Sequence, residues 1–307
     1  MRHDTPLVVL GIGIVLLILG LTKILPGATG MGGGLAFLGI LLFALSFVKK
    51  PEVKPGAAPP MGPFEQTLGM YYEPAEVFRN LKIHPRWLVA ALLISIAGSI
   101  YSFAFVSRIT PERIASYMSE KLKGSGFPIP EDKIEEMRSQ QIADAKSPVK
   151  RIGTAVNSFV AVVTLMAFLA TIYLLGALMF GGRINFWQGM AIATHAALPI
   201  VLLQKLLSLA ILYVKAPEDL HPTLNQSTLI QDNLGVLFSP AQNPVLFAAG
   251  STIGILTLYG VWLTATGIKN GGEGVSSAGG WTISIAIWFM LFLLAVCSAL
   301  LFPGFIS

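Results

Sequence analysis

A chain of 307 residues that is 54% hydrophobic and only 12% charged is no ordinary soluble domain, because such domains are about 25% charged. The net charge of +5 would suit nucleic acid. Here, however, the basic residues flank long apolar runs, where they orient the chain and meet anionic lipid head groups, so nucleic-acid binding is set aside. The single Cys297 excludes an internal disulfide framework and, within an apolar run, reads as a buried, inert thiol.

Two apolar runs come first, at residues 6–25 and 29–48, joined by the link Pro26-Gly27-Ala28. They read as a hairpin of two membrane helices within residues 1–50. The opening MRHD resembles the start of a signal peptide, but no A-x-A-like cleavage site follows and a second span comes at once, so both spans are expected to be retained. Gly30, Gly32, Gly33 and Gly34 suit either close helix packing or a flexible turn. Residues 51–85 open with PEVKPGAAPPMGP, a linker too rich in Pro, Gly and Ala to bury a core. Pro74 then begins a short helix. Val77, Phe78 and Leu81 fall on one of its faces, which predicts an amphipathic helix lying in the membrane interface. Trp87 is placed as an interfacial anchor where the next span begins.

Five further spans are expected within residues 86–307, near 86–106, 154–180, 186–214, 244–267 and 281–302. Residues 107–153 hold nine basic and seven acidic residues and form the sizeable water-soluble part. Thr110-Pro111-Glu112 starts one helix there, the Gly-Ser-Gly-Phe-Pro of 124–128 breaks it, and Pro130-Glu131-Asp132 starts a second. That predicts a small helical hairpin, either a partner or lid surface or a solvated connector. Gly250 and Gly254 make a GxxxG step within the 244–267 run, a pattern for close helix packing. The Gly-rich stretch 269–280 matches no phosphate-binding motif and reads as a connector. The fold class is all-α: a polytopic membrane protein of about seven transmembrane helices, the hairpin plus a five-span core. Lys and Arg counts favour a cytoplasmic N-terminus and an outside C-terminus, nine against two, once the 107–153 segment is discounted.

The span at 186–214 is the unusual one, since it carries Thr194, His195, Pro199, Gln204, Lys205 and Ser208. Pro199 removes a backbone donor and frees the carbonyl of residue 195, which in lipid must find another partner. A charge near the middle of a span costs about 2.5–3.5 kcal/mol on insertion scales. All sixteen acidic residues fall in loops or tails, so Lys205 has no carboxylate at its own depth. It must snorkel, bond backbone carbonyls, face a wet cavity or become neutral. Thr194, Lys205 and Ser208 share a helical stripe, with His195 on the adjoining one. Their role is either structural or the binding of an anionic head group or substrate. HExxH, paired Cys and GxSxG are all missing, and His3, His84, His195 and His221 are scattered. No metal, cofactor or catalytic residue is therefore assigned.

Three stretches together resemble the Yip-domain family of Ypt/Rab-interacting membrane proteins and their bacterial relatives. The first is Glu73-Pro-Ala-Glu-Val-Phe-Arg-Asn-Leu-Lys-Ile-His-Pro-Arg-Trp87, similar to the family's Pro-containing PxxxF helix and the Pro-Arg-Trp that opens its first core span. The second is Gly182-Arg-Ile-Asn-Phe-Trp-Gln-Gly189 running into Ala193-Thr-His-Ala-Ala-Leu-Pro199. The third is Trp262-Leu-Thr-Ala-Thr-Gly-Ile-Lys269. The resemblance covers roughly residues 64–307. It implies five spans, a cytoplasmic N-terminal side and a non-cytoplasmic C-terminus. Two departures stand out: the N-terminal hairpin is extra, and Thr194-His195 occupies the place where the family tends to have Gly-Tyr. The resemblance further implies a non-enzymatic, bacterial-type inner-membrane protein. It would need no cofactor, and its partners would be membrane lipid and other membrane proteins, a transport system among them. The rival reading is a permease or lipid-handling protein with a cavity at the Pro199 kink and Lys205.

Overall fold

The computed structural model of the protein describes residues 4–53, 55–124 and 129–303. Arg2 and His3, Lys54 and residues 125–128, where the sequence places a helix break, lie outside them. Twelve α-helices and two short 3-10 helices make up the regular structure of the described residues. Six are long and apolar enough to cross a membrane: α1 (Asp4–Leu21), α2 (Ala28–Ser46), α5 (Leu88–Ile109), α8 (Pro148–Met179), α9 (Phe186–Val214) and α12 (Ser277–Leu301). Their outer faces are apolar. Ile12 and Val15 on α1, Ile96 and Ile100 on α5, and Leu291 and Leu294 on α12 are each half exposed or more. Apolar surface on that scale costs about 25 cal/mol per Å² in water and nothing in lipid, so the protein is a multi-pass membrane protein. Cys297, expected to be buried, is exposed on α12, where hydrocarbon covers it instead of protein.

The expected span at 244–267 is not one helix. It is α10 (Pro244–Ser251) followed by α11 (Ile255–Gly271), and both pack against α12. Backbone that leaves the helical path at membrane depth survives only where protein re-satisfies its polar groups, and that is what happens here. Trp288 Nε1 donates to Thr252 O at 2.9 Å. Leu234 N donates to Ile253 O at 3.0 Å and Ile255 N to Asp232 O at 3.3 Å. The Asp232 carboxylate accepts from Leu256 N at 2.7 Å. Gly250 and Gly254 are not a GxxxG face. Gly254 is extended backbone at the start of α11, and both glycines admit close approach of residues 232–235. The crossing is thus a broken one, which brings six continuous spans to about seven.

The chain divides into two compact units. The first comprises Met1–Lys49, Ser95–Thr164 and Lys205–Leu229. In it α1 and α2 pack backbone to backbone. A Cβ on Gly13 or Gly20 of α1, or on Gly32 or Gly39 of α2, would lie within 3 Å of main-chain atoms of the partner helix. Gly33 meets nothing within 4 Å, so only part of the 30–34 cluster serves this contact. Two helices, α6 (Pro111–Gly124), with a buried apolar face, and the largely polar α7 (Glu131–Lys146), form the expected hairpin. Its root is fastened by Arg113, whose guanidinium donates to the carbonyls of Pro217, Glu218 (3.1 Å) and Leu220 (3.2 Å). Tyr101, Phe105, Ile109, Ile114, Leu212, Leu220 and Leu229 make the core of this unit.

The second unit comprises Lys50–Ile94, Leu165–Gln204 and Ile230–Ser307. Here α3 (Pro63–Tyr72) and α4 (Pro74–Ile83) pack together, and α4 packs on α11. Pro74 stands at the first turn of α4, where its missing N–H is no loss. Val77, Phe78 and Leu81 are at most 1% exposed. The apolar face of α4, expected to lie in the membrane interface, is thus covered by protein. Trp87, expected as a membrane anchor, is buried as well. The linker is held to α4 by Asn80, which accepts from Met61 N at 3.1 Å and donates to Pro59 O at 2.9 Å.

Candidate functional site

Residues far apart in the sequence meet on α4, α9 and α11 within the second unit. Phe78 of α4 lies against Gly267 of α11, where a Cβ would come 3.0 Å from its ring. Ile192 of α9 fills the space beside Gly267 and Gly271, with 2.7 Å from each virtual Cβ to its side chain. Only glycine lets the ring and the branched aliphatic chain approach α11 this closely. The segment leading into α9 is locked in turn. Asn185 accepts from Trp187 N at 2.9 Å, which caps the helix, and Asn185 N donates to Gln188 Oε1 at 2.7 Å. Gln188 Nε2 donates to Lys82 O at the end of α4, at 2.8 Å. Arg183 and Glu273 exchange both backbone bonds, at 2.7 and 2.8 Å. Gly189 allows the carbonyl of Ala170 on α8 to come within 2.9 Å of a virtual Cβ.

The three stretches that carry the family resemblance thus form one junction: Phe78 from the first, Arg183 to Gly189 from the second, Gly267 from the third. The scan against family models gives the same answer, for the Yip1 domain model matches residues 68–299, about three quarters of the chain. The chain belongs to the Yip1 domain family. No curated protein and no solved structure matches it. The Yip1 domain begins inside α3 and takes in everything up to the end of α12 except its last two residues, so the α1–α2 hairpin is an addition to it.

Within the Yip1 domain, the polar membrane positions fall into two separate networks. Thr194 and His195 are buried and bond to their own helix. Thr194 Oγ1 donates to Met190 O at 2.9 Å, and His195 Nδ1 bonds Ala191 O at 2.9 Å. Pro199 O accepts from Tyr71 OH at 3.2 Å, so a phenol from α3 reaches the proline turn. Lys205 and Ser208 look elsewhere, to residues 225–229, which fold back along α9. The Lys205 ammonium donates to Ser227 O and stands 5.0 Å over the ring of Tyr101. Tyr101 OH donates to Asn225 O at 2.6 Å. Ser208 Oγ sits 3.0 Å from Thr228 Oγ1 and accepts from Leu229 N at 3.0 Å. Of the four choices open to Lys205, the structure takes the backbone carbonyl and adds an aromatic face, which partly replaces lost hydration.

Two positions escape a reading of the sequence. Asp232 counts there as a loop acid, yet it caps the half-helix α11. His221 looks isolated but has the Tyr117 hydroxyl 3.1 Å from Nε2 and accepts from Thr223 N and Leu224 N at Nδ1, at 3.2 and 3.1 Å. Two backbone donors on Nδ1 fix the neutral tautomer with its proton on Nε2. Among the described residues no group of three or more His, Cys, Asp or Glu side chains could hold a metal ion.

Proposed function

We propose that this Yip-family membrane protein is a non-enzymatic module that recruits membrane-protein partners, a transport system among them. It sits in a bacterial inner membrane with its N-terminus in the cytoplasm and its C-terminus outside. The observation behind this reading is the α6–α7 hairpin. Ion pairs fix its lower part, Lys146 to Glu112 at 2.6 Å and Lys150 to Asp144 at 3.1 Å. Its outer side presents exposed Glu131, Asp132, Lys133, Glu135 and Glu136, with only Ile134 of that turn turned inward. A rigid, charged surface standing outside the membrane suits selective recognition better than chemistry. The rival cavity at Pro199 and Lys205 has less behind it, because Tyr71 and Ser227 already occupy those groups.

Affinity purification of the full chain in mild detergent should recover stoichiometric membrane partners. The Asp132→Lys, Glu135→Lys double variant should lose them while keeping its elution volume. A lone protein recovered repeatedly, or a double variant with its partners intact, contradicts the reading.

A further inference from the structure

A cavity of about 520 Å³ opens in the first unit between the start of α2, the outer half of α5 and the start of α8. Its volume is that of a small-molecule pocket, and its chemistry is graded along the helices. At the extramembrane end lie Lys150, Arg151 and Asp144. Lys150 is 3.1 Å from Asp144, which leaves the trio with one net positive charge. Arg151 is aimed rather than loose: Nε donates to Ala145 O at 2.6 Å and the guanidinium lies 5.3 Å over the Phe103 ring. Among the described residues its two terminal NH2 groups make no hydrogen bond. They form the fork that matches a phosphate geometrically.

Asn157 lies six residues further along α8, about 9 Å deeper at 1.5 Å per residue. It lines the cavity together with Ser99 and Ser102 of α5, with its Oδ1 lying against Gly34 of α2, where a Cβ would clash with it, and its Nδ2 beside Gly30. These three side chains make no hydrogen bond with the described residues. Polar side chains left without a hydrogen bond at membrane depth are costly, so these three, half-buried at Ser99 and Ser102, favour a polar ligand. A phospholipid carries its polar groups in the same order, phosphate outermost and glycerol esters below it. We propose that this cavity binds the phosphodiester headgroup and glycerol backbone of an anionic phospholipid, with Arg151 and Lys150 on the phosphate and Asn157, Ser99 and Ser102 on the glycerol esters. The acyl chains stay outside, along the apolar flanks of the helices.

Gly98 supplies a clean test, because it lines the cavity and a Cβ there meets no protein atom within 4 Å. Gly98→Leu puts an apolar side chain into that space from an unhindered Cβ position and replaces a poor helix former with a good one. Full-length protein exchanged into nanodiscs of equal phosphatidylglycerol, phosphatidylethanolamine and diacylglycerol, then released for native mass spectrometry, should retain one phosphatidylglycerol. Gly98→Leu and Arg151→Gln should each lower that retained fraction at least tenfold, and Lys121→Gln, on the hairpin outside the cavity, should not change it. Ten millimolar inorganic phosphate should leave retention unchanged; displacement by it would reassign the cavity to a free phosphate and overturn the lipid proposal. Equal retention of diacylglycerol, or unchanged retention in both cavity variants, would reduce the bound lipid to an annular one and overturn it too.

Discussion

The broken crossing makes a sharp prediction at Asp232. Gly254 begins α11 but has no side chain to cap it, so the Asp232 carboxylate, arriving from another segment, takes the Leu256 N–H instead. Replacing a capping side chain with alanine costs about 0.5–2 kcal/mol. The loss of a negative charge beside a helix N-terminus adds about 0.3–1 kcal/mol. Asp232→Ala should therefore weaken the start of α11 by about 1–3 kcal/mol, which corresponds to local opening about 5–150 times more frequent. Asp232→Asn keeps an acceptor and forfeits only the charge, so its opening should rise about two- to fivefold. Hydrogen exchange at the Leu256 amide in the detergent-solubilised protein reads this directly. Unchanged exchange in Asp232→Ala, or equal exchange in the two variants, would refute the assignment of the carboxylate as the cap of α11.

The α1–α2 hairpin should be sensitive to single methyl groups in a position-specific way. Gly13→Ala or Gly32→Ala forces the two backbones apart and should cost about 1–3 kcal/mol, whereas Gly33→Ala, which meets nothing, should be neutral or slightly stabilising in thermal unfolding. Lys205→Met should change the unfolding temperature little, because it leaves Ser227 O without its partner but also removes a poorly solvated charge; a loss of more than about 10 °C would show that the lysine is essential to the fold. His221 gives the pH dependence. Its pKa is held below the ordinary 6.5, first by desolvation and then by Lys121 and Arg113. The folded segment therefore resists a proton that the opened one accepts. Its stability should be complete above pH 6.5 and decline as the pH falls below that value toward the lowered pKa. Exchange at the Thr223 and Leu224 amides should accelerate between pH 7 and 5.5 relative to neighbouring amides, and a His221→Gln protein should lose that excess.

Much of the architecture was written in run lengths. An 18- to 32-residue apolar helix has few destinations, and the six continuous crossings follow from that alone. Pro74 and the Val77–Phe78–Leu81 stripe announce a helix with one apolar face. Periodicity is silent about what covers such a face, and the answer, Gly267 and its surroundings on α11, lies nearly two hundred residues further on. The break at 252–254 was hidden for the same reason: the run is apolar throughout, and the groups that stitch it, Asp232 and Trp288, come from either side of it in the chain. Lys205 was legible as a residue in need of a partner, but the carbonyl of Ser227 depends on the fold-back of residues 225–229, which no local rule dictates. The seven-residue spacing of Gly13 with Gly20 and of Gly32 with Gly39 was there to be read. It places each pair two turns apart on one helical face, a better guide than the density of glycines at 30–34.

The stitched gap between α10 and α11 also bears on how the protein is made. Six segments are apolar enough to leave the translocation channel for lipid on their own, while α10 arrives with the Thr252 carbonyl at its end still without its Trp288 partner. The bond from Trp288 to the Thr252 carbonyl cannot exist until α12 has been synthesised. The penultimate crossing must therefore wait at the channel and enter as a pair with the last one, so a ribosome halted before residue 288 should leave it accessible from the aqueous side.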